Sequence, residues 1–114
     1  GFNLNGIHYD LSTFSGKNGG QVPHNTNFIY KYTDLQNYYL SEGHSDNGRQ
    51  SWGLQVGAEL ILNGQTLHLT SIKTLNRNDP DAFDNAVNIA AQHKATLQTC
   101  WDTQSLYLKI MTFD

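Results

Sequence analysis

The chain is poor in charge and in covalent staples. Lys and Arg number 7 against 10 Asp and Glu, a formal net charge of -3 with 15% charged residues. No basic field exists to attract nucleic acid or an anionic membrane surface, so nucleic acid is not an expected partner. The single cysteine cannot form an internal disulfide and leaves the redox compartment open. No apolar run approaches the ~18 to 20 residues that span a bilayer, and no signal peptide is read. The first residue is Gly1, as in a trimmed domain, and any anchor or export signal is expected outside these residues. His8, His24, His68 and His93 show no metal-like spacing with one another or with Cys100, so neither a metal nor a cofactor is expected.

What remains is a β-rich composition. With 114 residues, 38% of them hydrophobic, the chain suits a single domain, 1–114, able to bury one core without disulfides or metals. Six Tyr and two Pro, with many Asn, Thr, Gln and Gly, fit strands joined by polar loops.

The opening Phe2 to Leu11 reads as a strand or hairpin interrupted at Asn5-Gly6. Ser12 to Asn27 reads as a long polar connection, with Gly19-Gly20 opposing regular structure. Phe28 to Tyr32 suits a strand. Thr33-Asp34 offers an N-cap to a short helical turn over Leu35 to Tyr38, while Tyr38-Tyr39-Leu40 fits the next strand equally. Glu42 to Gly48 is a glycine-bracketed loop that presents His44. Ala58 to Leu62 and Gln65 to Leu75 flank Asn63-Gly64, the firmest hairpin signal in the chain, because a type I′ turn needs positive φ at both central residues.

The period then changes. Asp79 as N-cap and Pro80 in the first helical position start a helix over about residues 80–92, with Phe83, Val87 and Ala90 or Ala91 on one face. Two strands close the chain, Lys94 to Cys100 and Ser105 to Phe113. In the second, Leu106, Leu108 and Ile110 alternate with Tyr107, Lys109 and Met111.

The chemistry converges on Cys100. A free cysteine often serves as a small buried hydrophobe, but a thiol at a strand end is held by backbone hydrogen bonds, as a nucleophile should be. His44, on its loop, is distant in sequence, as is usual in Cys/His catalysis. An ordinary thiol with pKa ~8.5 is only a few per cent thiolate at neutral pH; a nearby imidazolium favours the charged sulfur and later protonates a leaving amine.

The order Gly43-His44-Ser45, Leu54-x-x-Gly57-x-x-x-x-Leu62, the hairpin through Thr70-Ser71-Ile72-Lys73, and Thr96-Leu97-Gln98-Thr99-Cys100 resembles the sortases. In that family a TLxTC strand carries the nucleophile and a loop much like GHS carries the histidine. The resemblance covers roughly Tyr39 to Ile110. It implies an all-β fold, a closed eight-stranded barrel with the one short helix in a late connection. It also implies transpeptidation at a bacterial cell surface, in an extracytoplasmic and membrane-anchored protein. Cys100 would attack the Thr to Gly bond of an LPxTG-like sorting signal of a surface protein, and His44 would act as acid and then base. An amine acceptor would resolve the thioacyl enzyme.

One feature departs from the family. Sortases carry an arginine at the start of the last strand, where this chain has Thr103-Gln104-Ser105-Leu106. Gln104 and Ser105 correspond, either able to donate a neutral hydrogen bond to an oxyanion, with Gln104 first and Arg49 the next substitute. Arg49, Arg77 and Lys109 otherwise read as solvated surface cations. Thr99 and Trp101, the neighbours of the thiol, are assigned with Phe83, Val87 and Arg49 to the peptide groove. Ile89 is a further lining residue, and core packing is the alternative for the helix residues. Trp52 reads as packing and Asp102 as loop surface. Two other functions stay open: a sortase-fold surface binding module without activity, and a Cys/His hydrolase that releases the peptide to water.

Overall fold

Two Asn-Gly turns set the first half of the fold. Asn5 and Gly6 have φ of 50° and 86°, and Asn63 and Gly64 have φ of 53° and 78°, the paired left-handed conformations of a tight hairpin. The first joins β1 (Phe2–Leu4) to β2 (Ile7–Tyr9), and the second joins β6 (Glu59–Leu62) to β7 (Gln65–Asn76). The computed structural model describes residues 1–15, 28–41, 50–51, 53–100 and 107–114, with Cys100 described by its strand position.

The remaining strands are β3 (Leu11–Phe14), β4 (Ile29–Tyr32), β5 (Tyr38–Leu40), β8 (Ala95–Cys100) and β9 (Tyr107–Phe113). All join one sheet in the order β2-β1-β6-β7-β9-β8-β5-β4-β3. Its two outermost strands, β2 and β3, are consecutive in the chain and separated only by Asp10. The sheet must therefore curl back on itself, giving a nearly closed barrel. The strand count is nine among the described residues rather than the expected eight. Part of the difference is that residues 11–14, read from sequence largely as polar connection, form β3 in parallel with β4. The ambiguous stretch 33–40 resolves into a turn with Asn37 at φ 53° followed by β5.

Period two sends alternate residues to the interior. There Phe2, Leu4, Tyr9, Ile29, Tyr39, Leu60, Leu62, Leu67, Leu69, Leu97, Met111 and Phe113 form one buried cluster, joined by Leu54 from outside the strands. Each large apolar side chain enclosed there stabilises the fold by about 1.5–3 kcal/mol relative to exposure. β7 binds the halves of the barrel together: Gln65 to His68 pair with β6, and Leu69 to Asn76 pair with β9 across an irregularity at Leu69/Ser71.

The outer face of β9 is covered as well, by helix α1 (Ala82–Gln92). Ala86 packs with Tyr30, Tyr38 and Leu40, and Ile89 packs with Leu108 and Ile110. The expected helical face is therefore rotated. Phe83 is 54% exposed and Val87 36% exposed, because the small Ala86 and Ala90 let the helix approach the tyrosines closely. The helix also begins later than read from sequence. Its N-cap is Asp81, without a side-chain capping bond. Asp79 instead accepts the Asp81 N–H on Oδ1 at 2.9 Å, so Pro80 lies in the turn before the helix. Gln50 and Ser51 are also helical.

Candidate active site

The arrangement of interest lies at one end of the sheet and begins with a parallel strand pair. β5 runs parallel to β8 with Tyr38 opposite Thr96, Tyr39 opposite Leu97 and Leu40 opposite Gln98. The ladder continues one residue further, where the Ser41 N–H donates to the Gln98 carbonyl at 2.9 Å. A side-chain bond reinforces the pair, the Tyr38 hydroxyl donating to Gln98 Oε1 at 2.6 Å. Parallel neighbours leave a sheet at the same end. Ser41 thus lies at the end of the sheet where β8 ends at Cys100.

The segment that follows residues 42–49 returns to that same end. Lys109, wholly buried, lies opposite Thr99 in the β8–β9 ladder. Its Nζ donates to the Ser51 carbonyl at 2.8 Å and to the Leu54 carbonyl at 3.2 Å. Gln50 is held too: its Oε1 accepts from the Tyr9 hydroxyl, and its Nε2 donates to the Leu4 carbonyl at 3.4 Å. Burial pushes the Lys109 ammonium below the usual lysine range, since a low-dielectric interior disfavours the charged form. Lys109 is thus no solvated surface cation, as its residue type suggested. Carbonyls from a segment more than fifty residues away in sequence solvate it.

Of the residues assigned from sequence, Cys100 closes β8 opposite Leu108. Thr99 is 2% exposed, and its hydroxyl has no hydrogen-bond partner among the described residues; it shares the interior register with Lys109. Phe83 and Val87, one helical turn apart, are together on the exposed flank of α1, whereas Ile89 belongs to the core. Arg77 is exposed, immediately after β7, whose last residue Asn76 pairs with Tyr107. His44, Arg49, Trp52, Trp101, Asp102, Gln104 and Ser105 lie outside the described residues, as does the connection that joins Cys100 to Tyr107.

The other polar clusters are peripheral. His8 bonds Asn3 Oδ1 at 2.8 Å and Asp10 Oδ1 at 3.2 Å on the exposed first hairpin. Asp114 joins His93 Nδ1 at 2.8 Å, the Thr70 hydroxyl at 2.9 Å and the Lys94 N–H at 3.1 Å. The His93 hydrogen bond is the leading cause that holds the Asp114 carboxyl below its ordinary range. Among the described residues no group of three or more His, Cys, Asp or Glu side chains could hold a metal.

Sequence reasoning missed the role of Lys109. The available signal was its place in a strand with apolar residues at both alternations, where a solvated cation has no room. Neither a protein-family model nor any curated protein matches this chain.

Proposed function

We propose that this protein is a sortase-like cysteine transpeptidase of the bacterial cell surface. Cys100 is the nucleophile, His44 the general acid and base, and Gln104, with Ser105, the oxyanion donor. Thr99, Trp101, Phe83, Val87 and Arg49 are the residues assigned to the peptide groove. The Phe83–Val87 pair suits that assignment as an apolar strip open to solvent, whereas Thr99, enclosed in the interior, would contribute through its backbone.

One observation carries the reading: the parallel pairing of β5 with β8, extended by the bond from Ser41 to Gln98. His44 follows Ser41 by three residues, a span of at most about 11 Å of extended chain. Cys100 follows Gln98 by two. That Ser41 is bound beside the strand that ends at Cys100 supports the pairing of the two residues, although they are remote in sequence.

In the proposed reaction the Cys100 thiolate attacks the carbonyl carbon of the Thr to Gly peptide bond of an LPxTG-like sorting signal. The carbon–nitrogen bond breaks, and the His44 imidazolium gives its proton to the departing amine. An amine of the second substrate then attacks the thioester, passing a proton to His44 and releasing the sulfur. Gln104 would offer the developing oxyanion a neutral donor. Loss of one oxyanion donor typically lowers turnover by ~10² to 10³, so a chain with a neutral donor in place of an arginine is expected to turn over slowly.

Mass spectrometry of an LPxTG-type peptide incubated with the protein, with and without an amine, tests the proposal. Amide product formed only with the amine and only with Cys100 intact is the expected result. Free acid in both reactions indicates hydrolysis. No change in the peptide in either reaction indicates a barrel that binds without reacting.

A further inference from the structure

β3 is an outermost strand of the sheet, paired on one side only among the described residues. With β2 it forms one run, Ile7 to Phe14, interrupted only at Asp10. β1 lies beside the first part of that run, with Phe2 opposite Tyr9, and β4 lies along Leu11 to Phe14. The carbonyls of Asp10 and Phe14 accept the N–H groups of Ile29 and Thr33, each at 3.0 Å. Asp10, Phe14 and Ser12 between them therefore turn their main-chain groups toward β4. Alternation along a strand sends the N–H and C=O of Leu11 and Thr13 to the opposite side. No described strand meets them there, and both side chains are exposed.

An open edge of this kind is ordinarily blunted by a charge, a proline or a bulge. Leu11-Ser12-Thr13-Phe14 contains neither charge nor proline, and its register against Ile29–Tyr32 is unbroken. We propose that this edge pairs with the same edge of a second copy of the chain, β3 against β3 in antiparallel orientation about a two-fold axis at Ser12. Leu11 of each copy then faces Thr13 of the other, and their outward N–H and C=O groups satisfy one another. A second copy suits the edge because the edge is its own complement in hydrogen bonding and brings no like charges together within the pair. Asp10, just before β3, falls opposite Phe14 of the other copy, so the two carboxylates sit at opposite ends of the paired strands. A pair of strands of 4 residues each is smaller than the ~1,200–2,000 Å² buried in stable complexes, and the dimer is accordingly weak. The inference is independent of the transpeptidase reading.

Sedimentation equilibrium of the protein between ~10 μM and ~1 mM tests it, with wild type compared against Thr13→Pro and Thr13→Lys and circular dichroism following the fold. Wild type is expected to pass from monomer toward dimer across that range. Proline at position 13 removes an N–H that faces away from β4, which an edge strand tolerates. The outward donor of each copy is then gone, and association should weaken about tenfold or more. Thr13→Lys should weaken it as well, by placing a charge on the edge, and decides the matter if Thr13→Pro does not fold. A wild type that stays monomeric throughout would overturn the inference, leaving the edge to an extended segment of another protein or to none. So would a dimer that persists unchanged in a folded Thr13 variant, because it must then use another surface.

Discussion

Replacing Ile89 and Phe83 by alanine, one at a time, separates the buried face of α1 from its exposed flank. Ile89 is 8% exposed and packs with Leu108 and Ile110, with Leu75 alongside. Truncating a buried isoleucine costs about 2–5 kcal/mol, depending on how far the site collapses. Alanine returns a few tenths of a kcal/mol in helix propensity. Because this site is a helix–sheet contact that can close partway, about 2–4 kcal/mol is expected for Ile89→Ala. Phe83 is 54% exposed, so roughly half of the ~1.5–3 kcal/mol for full burial of a phenylalanine is at stake. After the propensity gain, Phe83→Ala should cost under about 1 kcal/mol.

At roughly 4 °C per kcal/mol for a domain of this size, those values correspond to melting points lower by about 8–16 °C and by at most about 4 °C. Thermal circular dichroism reads both. Binding of an LPxTG-type peptide, followed by fluorescence anisotropy, should be weakened by Phe83→Ala despite its near-normal melting. Equal destabilisation by the two substitutions would refute the orientation of the helix. Unchanged peptide binding in Phe83→Ala would remove that residue from the groove.

Two further outcomes follow from titrating groups. Burial, followed by the Tyr32 charge, raises the Tyr38 hydroxyl above its ordinary value of 10.0. Its contribution is therefore full below pH ~10 and is lost as pH rises from there toward the folded value. Tyr38→Phe gives up the bond to Gln98 at about 1 kcal/mol near neutral pH, but should show a smaller fall in urea midpoint between pH 8 and 11. Lys109, with its lowered pKa, acts in the opposite sense and is common to both proteins; parallel curves would refute the assignment. The Asp114 carboxyl is lowered from 3.8, so its contribution is present above that pH and lost as pH falls through the folded value. Asp114→Asn should flatten the acid limb of the melting profile below pH ~4 and leave its shape unchanged from pH 7 to 9.

The sequence made some of this fold legible and concealed the rest for physical reasons. Asn5-Gly6 and Asn63-Gly64 announce their turns because the required φ values are a local property. The parallel pairs, β3 with β4 and β5 with β8, depend on contacts between distant segments and leave no local mark. The helix was readable as an element, but its face only at Ala90. Weighting by size favours Phe83 and Val87, whereas the close approach to Tyr30 and Tyr38 selects Ala86 and Ala90. Lys109 defeats a residue-type argument altogether, since the carbonyls that solvate it come from Ser51 and Leu54. In the candidate site, the strand position of Cys100 was readable from its β-rich run. The tie from Ser41 to Gln98 required the topology.

The measurement that bears most directly on the account is the rate at which a thiol-reactive probe labels Cys100 at neutral pH, in wild type and in His44→Ala. Fast labelling in the wild type, slowed about tenfold or more for each unit by which the thiol pKa rises in the variant, is the predicted result. Equal rates in the two proteins, with both thiols reacting only above pH ~8.5, would contradict it.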